Sequence, residues 1–345
     1  MNRGAVAAVF VLAAAAPLPF SPGGDVLHSM VLAAAYVVMA LGLNVIVGFA
    51  GLLDLGYVAF FAIGAYSAAY FASGFWGIHL AFPLVLVLAV AATSLAGALI
   101  GVPTLRLRGD YIAVVTLAFG EIIGQVAVNG RGIELFGGTL TSGPIGIGPI
   151  DRIELPLLGR FSALDLRPWY WFALALVALA LAANANLRDS RIGRAWRALR
   201  DDEEAAAAAG VAVVRAKLLA YGTGAAFGGI SGAFLASYLG VVDASQFEFS
   251  FSIFIFAMVV LGGLGSIPGV VVGAIALSVL NSYLLPDVLA GLPGAIGLDF
   301  DLSAVSSGIY GAILVVMLLV RPQGLWAVSA PGGRYDGRDR PPAAR

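Results

Sequence analysis

The chain has 345 residues, 60% of them apolar and 11% charged, and a formal net charge of −1. Ordinary soluble domains run at roughly 45–50% apolar and about 25% charged, so a soluble globular protein is excluded. Cysteine is absent, which excludes disulfides, a thiolate nucleophile and cysteine metal sites.

A helix needs about 20 apolar residues to cross a hydrocarbon core about 30 Å thick, so this composition has room for on the order of ten crossings. In chain order, apolar runs lie at 5–17, 26–48, 54–72, 80–100, 111–128, 168–185, 216–240, 251–264, 268–286 and 303–320. They predict an all-α, polytopic transmembrane bundle of about 10 spans, with about eight as the lower bound. The first run, behind Met1-Asn2-Arg3, also has the dimensions of a signal peptide, so a first span and a cleaved leader are both open. The run at 54–72 follows Gly48, Gly51, Asp54 and Gly56, which predicts a broken or re-entrant element.

Charge placement orients the bundle. With the N-terminus inside, only Arg131, Arg152, Arg160 and Arg167 of the 19 basic residues fall on the outer side, all in one long loop. The others, among them Arg106, Arg108 and a cluster from Arg188 to Lys217, fall in inner segments. By the positive-inside rule both termini are expected to be cytoplasmic. Residues 1–330 then form a single transmembrane domain with a cytoplasmic segment at 186–215. The polar stretch 331–345 is expected to be a disordered cytoplasmic tail.

Several chemistries are missing. A nucleotide-binding P-loop needs a Gly-Lys-Ser/Thr ending, but the single lysine, Lys217, is followed by Leu218. His28 and His79 have no metal-ligand spacing. Neither an enzyme, a cofactor nor a nucleic-acid partner is expected, and ATP hydrolysis would have to come from another polypeptide.

In the 186–215 segment, Ile192, Trp196 and Leu199 recur at helical spacing to make one apolar face, with Arg191, Arg194, Arg197 and Arg200 around the rest. The alanine run after Glu204 predicts a second helix, ended by Gly210. A basic amphipathic helix resting on anionic lipid is one reading of this segment. The other comes from Glu204-Ala205-Ala206-x-x-x-Gly210, which resembles the E-A-A-x-x-x-G signature of the membrane subunits of bacterial ABC importers. There, a cytoplasmic helix docks on a separate ATPase.

Two places in the spans carry polar groups. Glu121 lies inside the 111–128 run with Gln125 one turn on, and a carboxylate there costs about 2.5–3.5 kcal/mol unless it faces protein or water. The pair either lines a solute path or bonds a neighbouring helix. The glycine-broken stretch around Asp54, with Asn44, Tyr57 and Phe61 nearby, is a second pathway candidate, because broken helices expose backbone groups that bind zwitterions. The alternative there is a short loop with Asp54 capping the next helix. Gly265, Gly269 and Gly273, like Gly224, Gly228 and Gly232, repeat every fourth position and predict close helix packing.

Further segments are similar to the LivM-type branched-chain amino acid ABC transporter permease family. They include Leu41-Gly-Leu-Asn44 through Tyr66, Thr116-Leu-Ala-Phe-Gly120-Glu121, Ser190-Arg-Ile-Gly193-Arg, Gly262-Gly-Leu-Gly265-Ser-Ile-Pro-Gly269 and Arg321-Pro-Gln-Gly324-Leu. The resemblance implies a permease subunit for branched-chain amino acids, or for urea and short amides, in the bacterial inner membrane. It also implies a homologous second permease, two cytoplasmic ATPase subunits and a periplasmic or lipid-anchored substrate-binding protein, with membrane lipid around them. The rival from another class is an ion-coupled secondary transporter working alone, for which ionisable groups near membrane depth are few.

Overall fold

The computed structural model describes residues 3–104, 110–135, 138–155, 159–288, 305–321 and 324–326. Expectations that rest on Arg106, Arg108 and the 331–345 tail lie outside the described residues.

Each apolar run becomes a helix. In order these are α1 (Arg3–Ala15), α2 (Asp25–Leu43), α3 (Val58–Phe71), α4 (Phe82–Thr104), α5 (Asp110–Asn129) and α6 (Arg167–Asp189). They continue as α7 (Arg191–Asp201), α8 (Glu203–Ala208), α9 (Val213–Leu239), α10 (Phe249–Gly262), α11 (Ile267–Val279) and α12 (Ser306–Val320). Wide π turns extend α2 over Asn44–Phe49 and α11 over Leu280–Val288. Among the described residues, six helical stretches are long and apolar enough to cross a membrane: Asp25–Phe49, Phe82–Thr104, Tyr111–Gly132, Arg167–Asp189, Val213–Leu239 and Ile267–Pro286. The runs expected at 54–72 and 251–264 form helices of only 14 residues each, roughly 21 Å long and short of the core thickness. Large apolar side chains stay exposed along α4, α5 and α12, including Leu95, Ile122 and Leu319, as lipid-facing surfaces require.

Helix α9 is the hub, packed on α2, α3 and α4. Its glycine stripe makes this possible, because there is little hydrophobic drive between helices in lipid and close backbone approach supplies the attraction. A Cβ on Gly224 would come within 2.4 Å of Ile46, one on Gly228 within 2.9 Å of Phe60, and one on Gly232 within 2.2 Å of the Phe61 carbonyl. Gly269 and Gly273 do the same between α11 and α10, facing the carbonyls of Gly262 and Met258 at 2.2 and 2.3 Å. Gly265 differs from its two partners in the repeat. It sits in the turn before α11 at φ +83°, a conformation glycine adopts without strain, and is not part of the helix contact.

Among the described residues, the departure from a purely α fold is three two-residue antiparallel hairpins, with Ala72 paired to His79, Glu134 to Thr139 and Glu154 to Arg160. They gather at the end of the bundle opposite α7 and α8. The loop after α5 is pinned there, with Thr141 Oγ1 donating to the Ala127 carbonyl at 2.9 Å while Ile145 remains 71% exposed.

Candidate functional site

Local sequence builds the α7–α8 element. Ser190 caps α7 by accepting the Gly193 N–H at 3.1 Å. Gly193 is required there, because a Cβ would lie 2.1 Å from the Leu187 carbonyl where α7 folds back on the end of α6. Asp202 caps α8, accepting from the N–H groups of Glu204 and Ala205 at 2.8 and 2.9 Å. The helix ends at Gly210, whose φ of +85° lets Val211 N–H reach back to the Ala206 carbonyl.

The element is latched to the spans on one face. Trp196 is fully buried and donates to the Ala216 carbonyl of α9 at 2.8 Å, and Leu199 packs beside it. Lys217, fully buried on α9, meets Glu203 of α8 at 2.8 Å. Arg200 donates to the Gly48 carbonyl, at the π turn that ends α2. The other face is open: Arg191, Glu204, Ala205 and Gly210 are exposed, and Ile192 is 38% exposed. The expected apolar face of α7 therefore consists of Gly193, Trp196 and Leu199, with Ile192 turned outward.

The glycine-broken stretch lies against this latch. Asn44 Oδ1 accepts the Gly265 N–H at 2.8 Å, tying the end of α2 to the turn between α10 and α11. Asp54 accepts the Gly56 N–H at 2.9 Å just ahead of α3, and Tyr57 donates to the Gly224 carbonyl at 2.8 Å. All three residues are at most 1% exposed. Asn44, Asp54 and Tyr57 thus lie within the packing around and beyond the end of α2, each bonded to a backbone group. Phe61, also grouped with them, instead faces a cavity at the far side of α3.

Glu121 and Gln125 are exposed on α5, a span that the rest of the subunit leaves largely uncovered. They form a polar ladder. Gln125 Nε2 donates to Glu121 Oε1 at 3.2 Å, and Asn129 donates to the Gln125 carbonyl at 3.0 Å. Beside the ladder runs the α9–α10 connection, irregular except for a short 3-10 turn at Ala244–Phe247, and it lies along α3, where the Phe247 ring meets Phe61 edge-on and Tyr66 at a tilt. Between ladder and connection lies a cavity of about 630 Å³ bearing the carboxylates of Glu121, Asp243 and Glu248. Irregular backbone at such depth is tolerated where it lines a water-filled space. Asp243 and Glu248 were not singled out from sequence, since only the fold brings the 240–248 stretch against α5.

Residues 26–322 match the family model described as branched-chain amino acid transport system, permease component. The high-affinity branched-chain amino acid transport system permease protein LivM of Escherichia coli K12 is 37% identical over 94% of this chain and 75% of its own length. The Salmonella typhimurium protein of the same name is 36% identical with the same coverage. The LivH permease protein of Escherichia coli K12 is 30% identical over 40% of this chain and 41% of its own length. No solved structure matches the chain. Matched across most of its length, the chain belongs to the permease-component family of branched-chain amino acid transport systems and is a multi-pass membrane protein.

Proposed function

We propose that the chain is the non-catalytic, membrane-spanning subunit of an ATP-driven importer for branched-chain amino acids in the bacterial inner membrane. It would cross about ten times with both termini cytoplasmic, the shorter helices completing their crossings against neighbours. A homologous second permease would cover the exposed face of α5, two ATPases would dock on α7 and α8, and a binding protein would deliver substrate at the hairpin end. The observation that carries this reading is the α7–α8 element. Its inner face is fixed to three places in the bundle while its outer face, with Ile192, Glu204, Ala205 and Gly210, is uncovered. Motion of a docked partner would be transmitted through Trp196, Arg200 and Glu203 to α9 and α2.

The cysteine-free chain allows a clean test. Ala205→Cys is expected to cross-link to the ATPase subunit, whereas Ile145→Cys, at the opposite end, is expected to give no such product. Equal cross-linking from both, or none from Ala205→Cys, contradicts the docking assignment.

On this reading Glu121, on the face of α5 that the second permease would cover, lines the solute path. Losing a charge-assisted hydrogen bond removes about 1.5–3 kcal/mol, or roughly tenfold or more in apparent affinity. Glu121→Gln should raise the apparent KM for leucine uptake by that factor, and an unchanged KM removes Glu121 from the path.

A further inference from the structure

A second cavity, of about 290 Å³, lies inside this subunit among α2, α3, α10, the π turn after α11 and α12. Its walls divide by chemistry. One is a continuous set of rings: Phe61 lies 5.3 Å from Phe251, Tyr36 5.8 Å from Phe251 and 5.6 Å from Phe254, and Phe254 4.7 Å from Tyr310, centroid to centroid. The other is polar, made by Ser245, Gln246 and Glu248 of the α9–α10 connection, by Ser250 in the first turn of α10, and by Asn281, which accepts from the Tyr310 hydroxyl. Ser245, Glu248 and Ser250 also line the acidic cavity beside α5, so one strip of chain faces both spaces.

The size is near the lower limit of small-molecule sites, about 300–1,000 Å³, which suits a solute no larger than an amino acid. A lipid acyl chain would fill the aromatic wall but strand the polar one, at the cost of burying unpartnered polar groups. A small zwitterion with an aliphatic side chain satisfies both walls. We infer that this cavity is the side-chain subsite of the transported solute, with the aliphatic group against Phe61, Tyr36 and Phe254 and the ammonium group held by Glu248 at the junction of the two cavities. The inference rests on the importer reading, and it places part of the path inside a single subunit.

The test uses the complete transporter reconstituted in vesicles, with ATP-driven uptake of leucine and alanine followed in parallel. The same binding protein serves every variant, so changes in selectivity report on the permease. Ser250→Leu, at a half-buried position, narrows the cavity and should lower the leucine-to-alanine preference roughly tenfold, the scale on which hydrophobic pockets discriminate by size. Glu248→Gln, at an exposed position, should raise the apparent KM for both solutes about tenfold without changing their ratio. Co-purification of all subunits is the control for assembly, and if Ser250→Leu fails it, Glu248→Gln decides. Unaltered preference and KM in assembled variants overturn the subsite while the importer reading stands. A wild-type transporter that carries neither solute overturns that reading and the subsite with it.

Discussion

Replacing Trp196 with alanine is expected to abolish leucine uptake while leaving the protein inserted in the membrane. The indole is the largest side chain of α7, fully buried, and its N–H satisfies the Ala216 carbonyl at 2.8 Å. Truncating a buried tryptophan costs about 3–5 kcal/mol. Besides Trp196, this 11-residue helix is tied to the spans by the packing of Leu199 and the Arg200 bond to the Gly48 carbonyl, too little to hold so short a helix in place. The loss should therefore appear as undocking of α7 rather than unfolding of the spans. Limited proteolysis of membrane vesicles reads this directly: new cleavage between 190 and 212 in Trp196→Ala, with the remaining fragments intact. Ile192→Ala gives the contrast. That side chain is 38% exposed and faces away from the bundle, so it should leave the protease pattern unchanged and weaken only ATPase docking. Matching protease patterns in the two variants would show that α7 is held by something other than Trp196.

Glu203→Gln should destabilise the protein more than Lys217→Met does. Lys217 is completely buried, and the Glu203 carboxylate at 2.8 Å is its one ion-pair partner among the described residues. Removing the partner of a buried charge costs about 3–5 kcal/mol, since the ammonium is left without compensation in a medium that solvates it poorly. The reverse change is milder, because Glu203 is 32% exposed and its carboxylate regains water when the lysine is gone. In Glu203→Gln/Lys217→Met no buried charge remains, so the double variant should recover most of the loss. Thermal unfolding in detergent orders the three variants, and Glu203→Gln has the lowest expected Tm. Two single changes of equal cost, or costs that simply add in the double variant, would show that the pair is not coupled.

The positions of the helices were legible because apolar runs of span length need no partner to be recognised. The α7–α8 element was legible for a different reason. The alanine run and its terminator Gly210 act within a few residues of themselves, so local sequence specifies them, whereas Ser190 and Asp202 become visible as caps only in the structure. Contacts made across the fold were hidden. Asn44 carries a polar side chain inside an apolar run, which marks it as special but not as the partner of Gly265, 221 residues away. The same spacing rule that grouped Ile192 with Trp196 and Leu199 could not tell which edge of the stripe turns outward, because that depends on where α9 lies. The acidic cavity was half visible. Glu121 stands out as a carboxylate within a span, whereas Glu248 reads as an ordinary loop residue until the α9–α10 connection is seen to descend into the bundle. Gly265, Gly269 and Gly273 repeat evenly in sequence, yet the turn before α11 separates the first from the others.

As an importer subunit of the proposed kind, this chain should move its solute only when partner subunits supply ATP. Labelled leucine uptake should be followed in proteoliposomes holding either this chain alone or the chain with its second permease, ATPases and binding protein. Uptake that requires the full set of subunits and ATP, and that collapses in Trp196→Ala, is the predicted result. Uptake by this chain alone, driven by a proton or sodium gradient, would contradict the account and make the protein a secondary transporter.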